Sequence, residues 1–203
     1  VLESRLTSTR RRVPHLPKHM NVQSFNEEYY ARYYQDRKTR VAAPSYFGSL
    51  AQFLAGYSKL LGFPVRSIVD LGCGIGTLKK PLRKHFPGAT YTGVDVSPYA
   101  CEKYGWELDS VSDYAPAQTF DLVVCHDVLQ YLGDKEAKAA IKNFAKLNAG
   151  MLYFSVLTEE DYLENCDKSR TDSLVNLRGA NWYRPRLRRY FRNLGGGAYL
   201  SRE

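Results

Sequence analysis

The chain has 203 residues, enough for one domain with a full core, and its 44% hydrophobic and 25% charged content excludes a disordered or fibrous protein. No apolar run is long enough to span a bilayer and no secretory leader is visible, so no membrane partner is expected and the cytoplasm is the expected compartment. The formal charge of +8 sits at the ends: residues 1–20 carry five Lys and Arg against one Glu, and residues 178–203 carry seven Arg against one Glu.

Residues 1–24 are basic, contain proline and show no period; they are expected to form an arm. Their composition loosely resembles a targeting peptide, and a leader translated ahead of Met20 would read the same way. Residues 25–62 are expected to form two capping helices. Ser24 with Glu27 reads as a capping box ahead of Tyr29, Tyr30, Tyr33 and Tyr34. The second helix has Pro44 in its first turn and a face of Phe47, Leu50, Phe53, Leu54, Tyr57 and Leu61. Gly62 and Pro64 stop it.

Residues 63–203 are the expected core unit. "VRSIVDL" reads as a strand, and "GTLKKPLRKHF" as a helix interrupted by Pro81. "TYTGVDV" is a strand, "PYACEKYG" a short helix and "WEL" a brief strand. "FDLVVCHD" and "GMLYFSVL" are continuous apolar strands of the buried parallel kind, on either side of the amphipathic "GDKEAKAAIKNFAKLNAG". This rhythm predicts an α/β, doubly wound, mostly parallel sheet covered by helices on both faces. After it, "RPRLRRYFRNL" reads as a helix starting at Pro185, and only "AYLSRE" remains as a last strand. Six strands are therefore expected, or a seventh within "SLVNL". A shortened antiparallel edge of this kind could support a homodimer. The four cysteines, Cys73, Cys101, Cys125 and Cys166, lack metal spacing and read as reduced thiols, so no metal is expected.

The chemistry begins at "SIVDLGCGIGTL". Gly72, Gly74 and Gly76 alternate directly after a buried strand and before a helix, where doubly wound sheets bind ligands. Glycine there permits positive φ and close backbone approach. Asp95 ends the next strand, 19 residues after Gly76, where a carboxylate can take both hydroxyls of a ribose. The order differs from the dinucleotide G-x-G-x-x-G, since Ile75 alone separates the last two glycines. Asp70 stands just ahead of the loop, where it would repel a pyrophosphate and attract a cationic amino-acid end. A nicotinamide oxidoreductase is accordingly the least favoured reading.

"VDLGCGIGTL", "YTGVDVSP" and "FDLVVCHDVLQYL" together resemble the successive motifs of class I S-adenosylmethionine-dependent methyltransferases of the small-molecule kind. The resemblance runs from about Val65 to Leu157. It implies a Rossmann-like fold, S-adenosyl-L-methionine as methyl donor and S-adenosyl-L-homocysteine as product. On it, Asp70 and Gly72 would face the methionine part, with Gly74 and Gly76 shaping the same loop, Asp95 would hold the ribose, and Cys73 and Val96 would be further cofactor contacts. Asp109 and Ser110, which lie ahead of Asp121, would meet the adenine, and Cys125 and His126 would line the cofactor and the substrate mouth. His126, at the carboxyl edge of the sheet, is the candidate general base, with Asp127 second. Tyr131 stands where many relatives have a histidine. Tyr33, Tyr34, Gln130, Trp182 and Tyr183 are the candidate substrate contacts.

A small-molecule acceptor, methylated on O or N by in-line displacement, is the reading these features favour. "CHDV" after the fourth strand is not the tetrapeptide of DNA amino-methylases, and no Pro-Cys pair for C5-cytosine chemistry is present. The alternatives are an RNA or protein methyltransferase guided by the basic ends, and a non-catalytic S-adenosylmethionine-binding protein.

Overall fold

The computed structural model describes residues 22–202, so most of the arm expected over residues 1–24 lies outside the described residues. Seven strands form one sheet: β1 (Ser67–Leu71), β2 (Thr90–Asp95), β3 (Glu107–Leu108), β4 (Phe120–His126), β5 (Asn148–Ser155), β6 (Phe191–Gly195) and β7 (Ala198–Ser201). Their spatial order is β3-β2-β1-β4-β5-β7-β6. The first five are parallel, and β7 runs antiparallel to both β5 and β6. The order reverses between β1 and β4, which places a crevice at their carboxyl ends.

Both faces of the sheet are buried, which is why its central strands read as unbroken apolar runs. Val69, Leu71, Val123, Cys125, Leu152 and Phe154 point to one face, against Ala140, Ile141 and Phe144 of α5 (Asp134–Leu147). Ile68, Leu122, Val124 and Met151 point to the other. There they meet Leu50 and Leu54 of α2 (Pro44–Leu60) and Leu82 of α3 (Lys79–His85).

The aromatic N-terminal segment is α1 (Glu27–Tyr30), continued by a π-helical turn over Ala31–Gln35. Its cap is Asn26, whose side chain accepts the Tyr29 N–H, and not Ser24, which belongs to a preceding 3-10 turn. In α2, Phe47, Leu50 and Leu54 are buried as expected, but Phe53 and Leu61 are exposed, so the buried stripe is narrower than the sequence suggests. Pro81 is the third residue of α3, where an N–H would lack a helical partner anyway, so it interrupts nothing.

α4 (Pro98–Tyr104) has Ser97 as its cap, and α6 is a short helix over Glu159–Glu164. The C-terminal end departs most from expectation. The last helix, α7, spans Ala180–Arg188, with Pro185 inside it rather than at its start. The chain leaves the helix before Phe191, which is fully buried on β6. Gly195, Gly196 and Gly197 all take positive φ and close a tight hairpin to β7. The seventh strand therefore comes from the end of the expected helix and not from "SLVNL".

Candidate functional site

After β1 the chain turns through Gly72, Gly74 and Gly76, at φ of +76°, +54° and +73°. Space is as restrictive as torsion. A Cβ on Gly72 would stand 2.4 Å from Val128, in the loop after β4, and one on Gly76 would stand 2.6 Å from Trp106. Trp106 also donates its indole N–H to the Gly74 carbonyl at 2.8 Å, bracing the loop.

The two acidic partners are buried on either side of that loop. Asp95 Oδ2 accepts the Gly74 N–H at 2.7 Å, and Oδ1 accepts the Ser97 N–H at 2.8 Å. The Tyr30 hydroxyl reaches Asp95 Oδ1 at 3.4 Å. Burial lifts the Asp95 carboxyl above its ordinary pKa, with the two backbone donors opposing. Asp70 Oδ2 accepts the Tyr91 hydroxyl at 2.7 Å. Burial pushes Asp70 up to about 6, and the Tyr91 hydrogen bond opposes it.

β4 ends at His126. Its Nε2 lies 3.2 Å from the Tyr46 hydroxyl, its Nδ1 lies 3.4 Å from Asp127 Oδ2, and its ring stacks on Tyr153. Asp127 is the one non-glycine residue with positive φ among the described residues, at +54°. Its Oδ1 accepts the Ser155 hydroxyl at 2.9 Å, so β5 helps hold it in that conformation.

A cavity of about 450 Å³ opens between these elements. Asp70, Gly72 and Cys73 lie along it, together with His126, Gln130, Tyr33 and Tyr34. A narrower cleft of about 50 Å³ shares Gly72 and Asp127 with it and follows Gly74, Asp95, Val96 and Ser110 beneath Phe25 and Tyr30. The structure thus gathers most of the residues singled out in the sequence along one continuous crevice.

Five do not line it. Gly76 shapes the loop against Trp106, and Cys125 is fully buried in the core beneath the end of β4. Asp109 turns its Oδ1 to the Ser110 N–H at 2.7 Å. Trp182 and Tyr183 lie in α7, away from the cavity. Trp182 stacks between Arg178 and Arg186, and Tyr183 packs in the core with its hydroxyl accepting from Arg178 at 3.2 Å. Their place on the helix rather than before it turns them into the sheet–helix seam.

Other residues of the crevice carried no sequence signal of their own. Tyr46 and Asp172 line the cavity, Tyr91 holds Asp70, and Trp106 braces the loop. Six residues after Asp172, buried Arg178 donates to Asp134 Oδ1 at 2.7 Å and to the Leu129 carbonyl at 3.1 Å. The Asn176 N–H also bonds the Gln130 carbonyl at 2.6 Å. These contacts tie residues 172–178 to the turn after β4.

Residues 69–149 match the family described as a methyltransferase domain. The chain is 32% identical over 115 residues to malonyl-[acyl-carrier protein] O-methyltransferase of Halalkalibacterium halodurans, covering 49% of this chain and 42% of that one. It is 33% identical over 86 residues to trans-aconitate 2-methyltransferase of Klebsiella pneumoniae, covering 39% and 34%. It spans less than half the length of these curated relatives. Its fold is similar to that of magnesium protoporphyrin IX methyltransferase from Synechocystis PCC 6803, solved with bound S-adenosylhomocysteine. The TM-score is 0.60 at 20% identity, over 89% of this chain and 95% of that one. Streptomyces venezuelae DesVI gives a TM-score of 0.59 at 15% identity, over 76% and 91%.

Proposed function

We propose that this chain, whose residues 69–149 match a methyltransferase domain, is a class I methyltransferase that transfers a methyl group from S-adenosylmethionine to a nitrogen or oxygen of a small molecule. The observation that carries the reading is the continuity of the crevice. The narrow cleft over Asp95 and the glycine loop leads, past Gly72 and Asp127, into a cavity large enough for an acceptor.

The residues fit the donor. Asp95 is buried and held by backbone amides, so a ribose hydroxyl donating to it would complete a carboxylate already aimed into the cleft. Tyr30 now supplies the hydroxyl at that carboxylate and would give way to the ribose. The positive-φ glycines let a ligand approach the backbone after β1, and Asp70 offers negative charge beside it. When bound, S-adenosylmethionine supplies a methyl group already activated on a sulfonium. The protein's part is then to orient the acceptor and take up its proton.

His126 is the residue to which we assign that proton. It lines the cavity, and its Nδ1 lies 3.4 Å from Asp127 Oδ2, which orients the ring. The other nitrogen meets Tyr46, the side from which an acceptor would approach. Residues 25–62 act in this reading as a cover, since Tyr29, Tyr33 and Tyr34 close the cavity opposite the sheet.

The test is calorimetric titration with S-adenosylhomocysteine. Binding to the unaltered protein and its loss in Asp95→Ala, with circular dichroism unchanged, are expected. Equal affinity in both proteins would refute the site.

A further inference from the structure

Resting on the methyltransferase reading, we propose that the acceptor is an amine, bound as an ammonium ion by Asp172, Asp127 and the tyrosines around them.

The charge of the cavity is one-sided. Asp70, Asp127 and Asp172 line it, and among the described residues no lysine or arginine does. Asp70 sits at the glycine loop, on the donor side. Asp127 stands where the narrow cleft meets the cavity, and Asp172 lines the cavity with Gln130. An acceptor carrying a carboxylate would meet two carboxylates and no lysine or arginine there, and at buried Asp172 the repulsion is poorly screened. An ammonium would be attracted by both.

Asp172 is 9% exposed, and the Leu174 N–H at 2.9 Å satisfies only its Oδ1. Gln130 provides an independent observation. It is 4% exposed, lines the cavity, and its Oε1 has no hydrogen-bond partner. A buried amide oxygen in that state calls for an N–H donor. An ammonium carries three, enough for Gln130 Oε1 and a carboxylate together.

The aromatic lining suits the same ion. Tyr33, Tyr34, Tyr46 and Tyr131 line the cavity, and cations are attracted to aromatic ring faces. Burial, reinforced by the charges of Asp127 and Asp172, pushes the Tyr34 and Tyr131 phenols up, so these rings stay neutral. For transfer the ammonium releases a proton to His126. The freed nitrogen lone pair then forms the N–C bond as the C–S bond breaks, its electron pair remaining on sulfur, and the methylated nitrogen carries the positive charge away.

The experiment uses the full chain saturated with S-adenosylhomocysteine. Three isosteric probes are titrated: 2-phenylethylamine, 2-phenylethanol and phenylacetate. The amine is expected to bind about tenfold or more tightly than either isostere, the scale of one charge-assisted hydrogen bond. Asp172→Asn should erase that preference, with homocysteine-adduct affinity as the control for folding. Asp127→Asn, which suits the same positive φ, is a second variant and should weaken it. Equal or tighter binding of phenylacetate, or no amine binding to a protein that holds S-adenosylhomocysteine, overturns the proposal. Failure to hold S-adenosylhomocysteine would instead refute the donor site on which the proposal rests.

Discussion

Asp95 and Asp172 are both buried carboxylates on the same crevice, 5% and 9% exposed, yet they are held by different kinds of structure. Asp95 closes a central strand and accepts backbone N–H groups from Gly74 and Ser97, so the sheet itself sets its position. Asp172 lies in a loop outside any helix or strand and accepts the Leu174 N–H of that same loop, which Arg178, six residues on, anchors by donating to Asp134 and to the Leu129 carbonyl. The proposed donor end thus rests on the sheet, and the proposed acceptor end on a loop anchored by side-chain contacts further along the chain. Substitutions at the first should act abruptly, and those at the second should act by degrees.

The sharpest break is Gly72→Val. Positive φ costs a non-glycine residue about 1–2 kcal/mol, and overpacking adds about 1–3 kcal/mol. The added Cβ would also stand 2.4 Å from Val128 Cγ2, forcing apart the two loops that form the crevice. Calorimetry with S-adenosylhomocysteine should show no binding. Retained affinity would mean that the loop is not the donor's cradle.

Next comes His126→Ala, which separates the two halves. His126 lies on the acceptor side, so affinity for S-adenosylhomocysteine should hold while turnover falls about 10²–10⁴-fold, the usual range for a general base. An unchanged rate with an identified acceptor would remove it from that role.

The same contrast explains what the sequence revealed. Asp70, Gly72, Gly74 and Asp95 were legible because backbone constraints leave fixed residue types at fixed spacings: glycine for positive φ, and aspartate at a strand end. The parallel core was legible because burial on both faces writes continuous apolar runs. Asp172 and Tyr46 were not, because each meets the cavity only through long-range folding and neighbouring residues carry no trace of it. Trp182 and Tyr183 misled for a related reason: the sequence placed them before a helix, and a start only five residues earlier than Pro185 turned them into the core. β6 was hidden because Tyr190, Phe191 and Leu194 fit a helical face as well as a strand. The glycine turn at Gly195–Gly197 decided between them.

Gly76→Ala has a smaller expected effect and concerns support rather than contact. Its Cβ would press on Trp106 Cζ2 at 2.6 Å, loosening the indole that braces Gly74. Thermal unfolding should show a loss of about 2–5 kcal/mol, from positive φ and overpacking together, with donor affinity reduced but measurable. Affinity lost as completely as in Gly72→Val would place Gly76 in direct contact with the donor.

The smallest effect tests electrostatics at the donor end. Asp70 titrates at about 6 in the folded protein against an ordinary value of 3.8, because burial disfavours its charge. Between those values the folded state keeps a proton that the unfolded state releases, so this group's contribution to stability falls as pH rises through the window and stays lost above about 6. A cationic donor favours the ionised form, so its affinity should rise over the same window as the carboxyl ionises. Tyr91→Phe deletes the hydroxyl bonded to Asp70 Oδ2, a contact that stabilises the charged form. A hydrogen bond to a charged group is worth about 1.5–3 kcal/mol, so the midpoint of the affinity profile should move up by about one to two pH units. Affinity well above that midpoint should be nearly unchanged, because Asp70 is then ionised in both proteins. Titrations with S-adenosylmethionine from pH 5 to pH 9 would show the shift, on the unit scale of such pKa changes. A midpoint that stays in place would mean that Asp70 does not sense the donor, leaving Asp95 as its carboxylate.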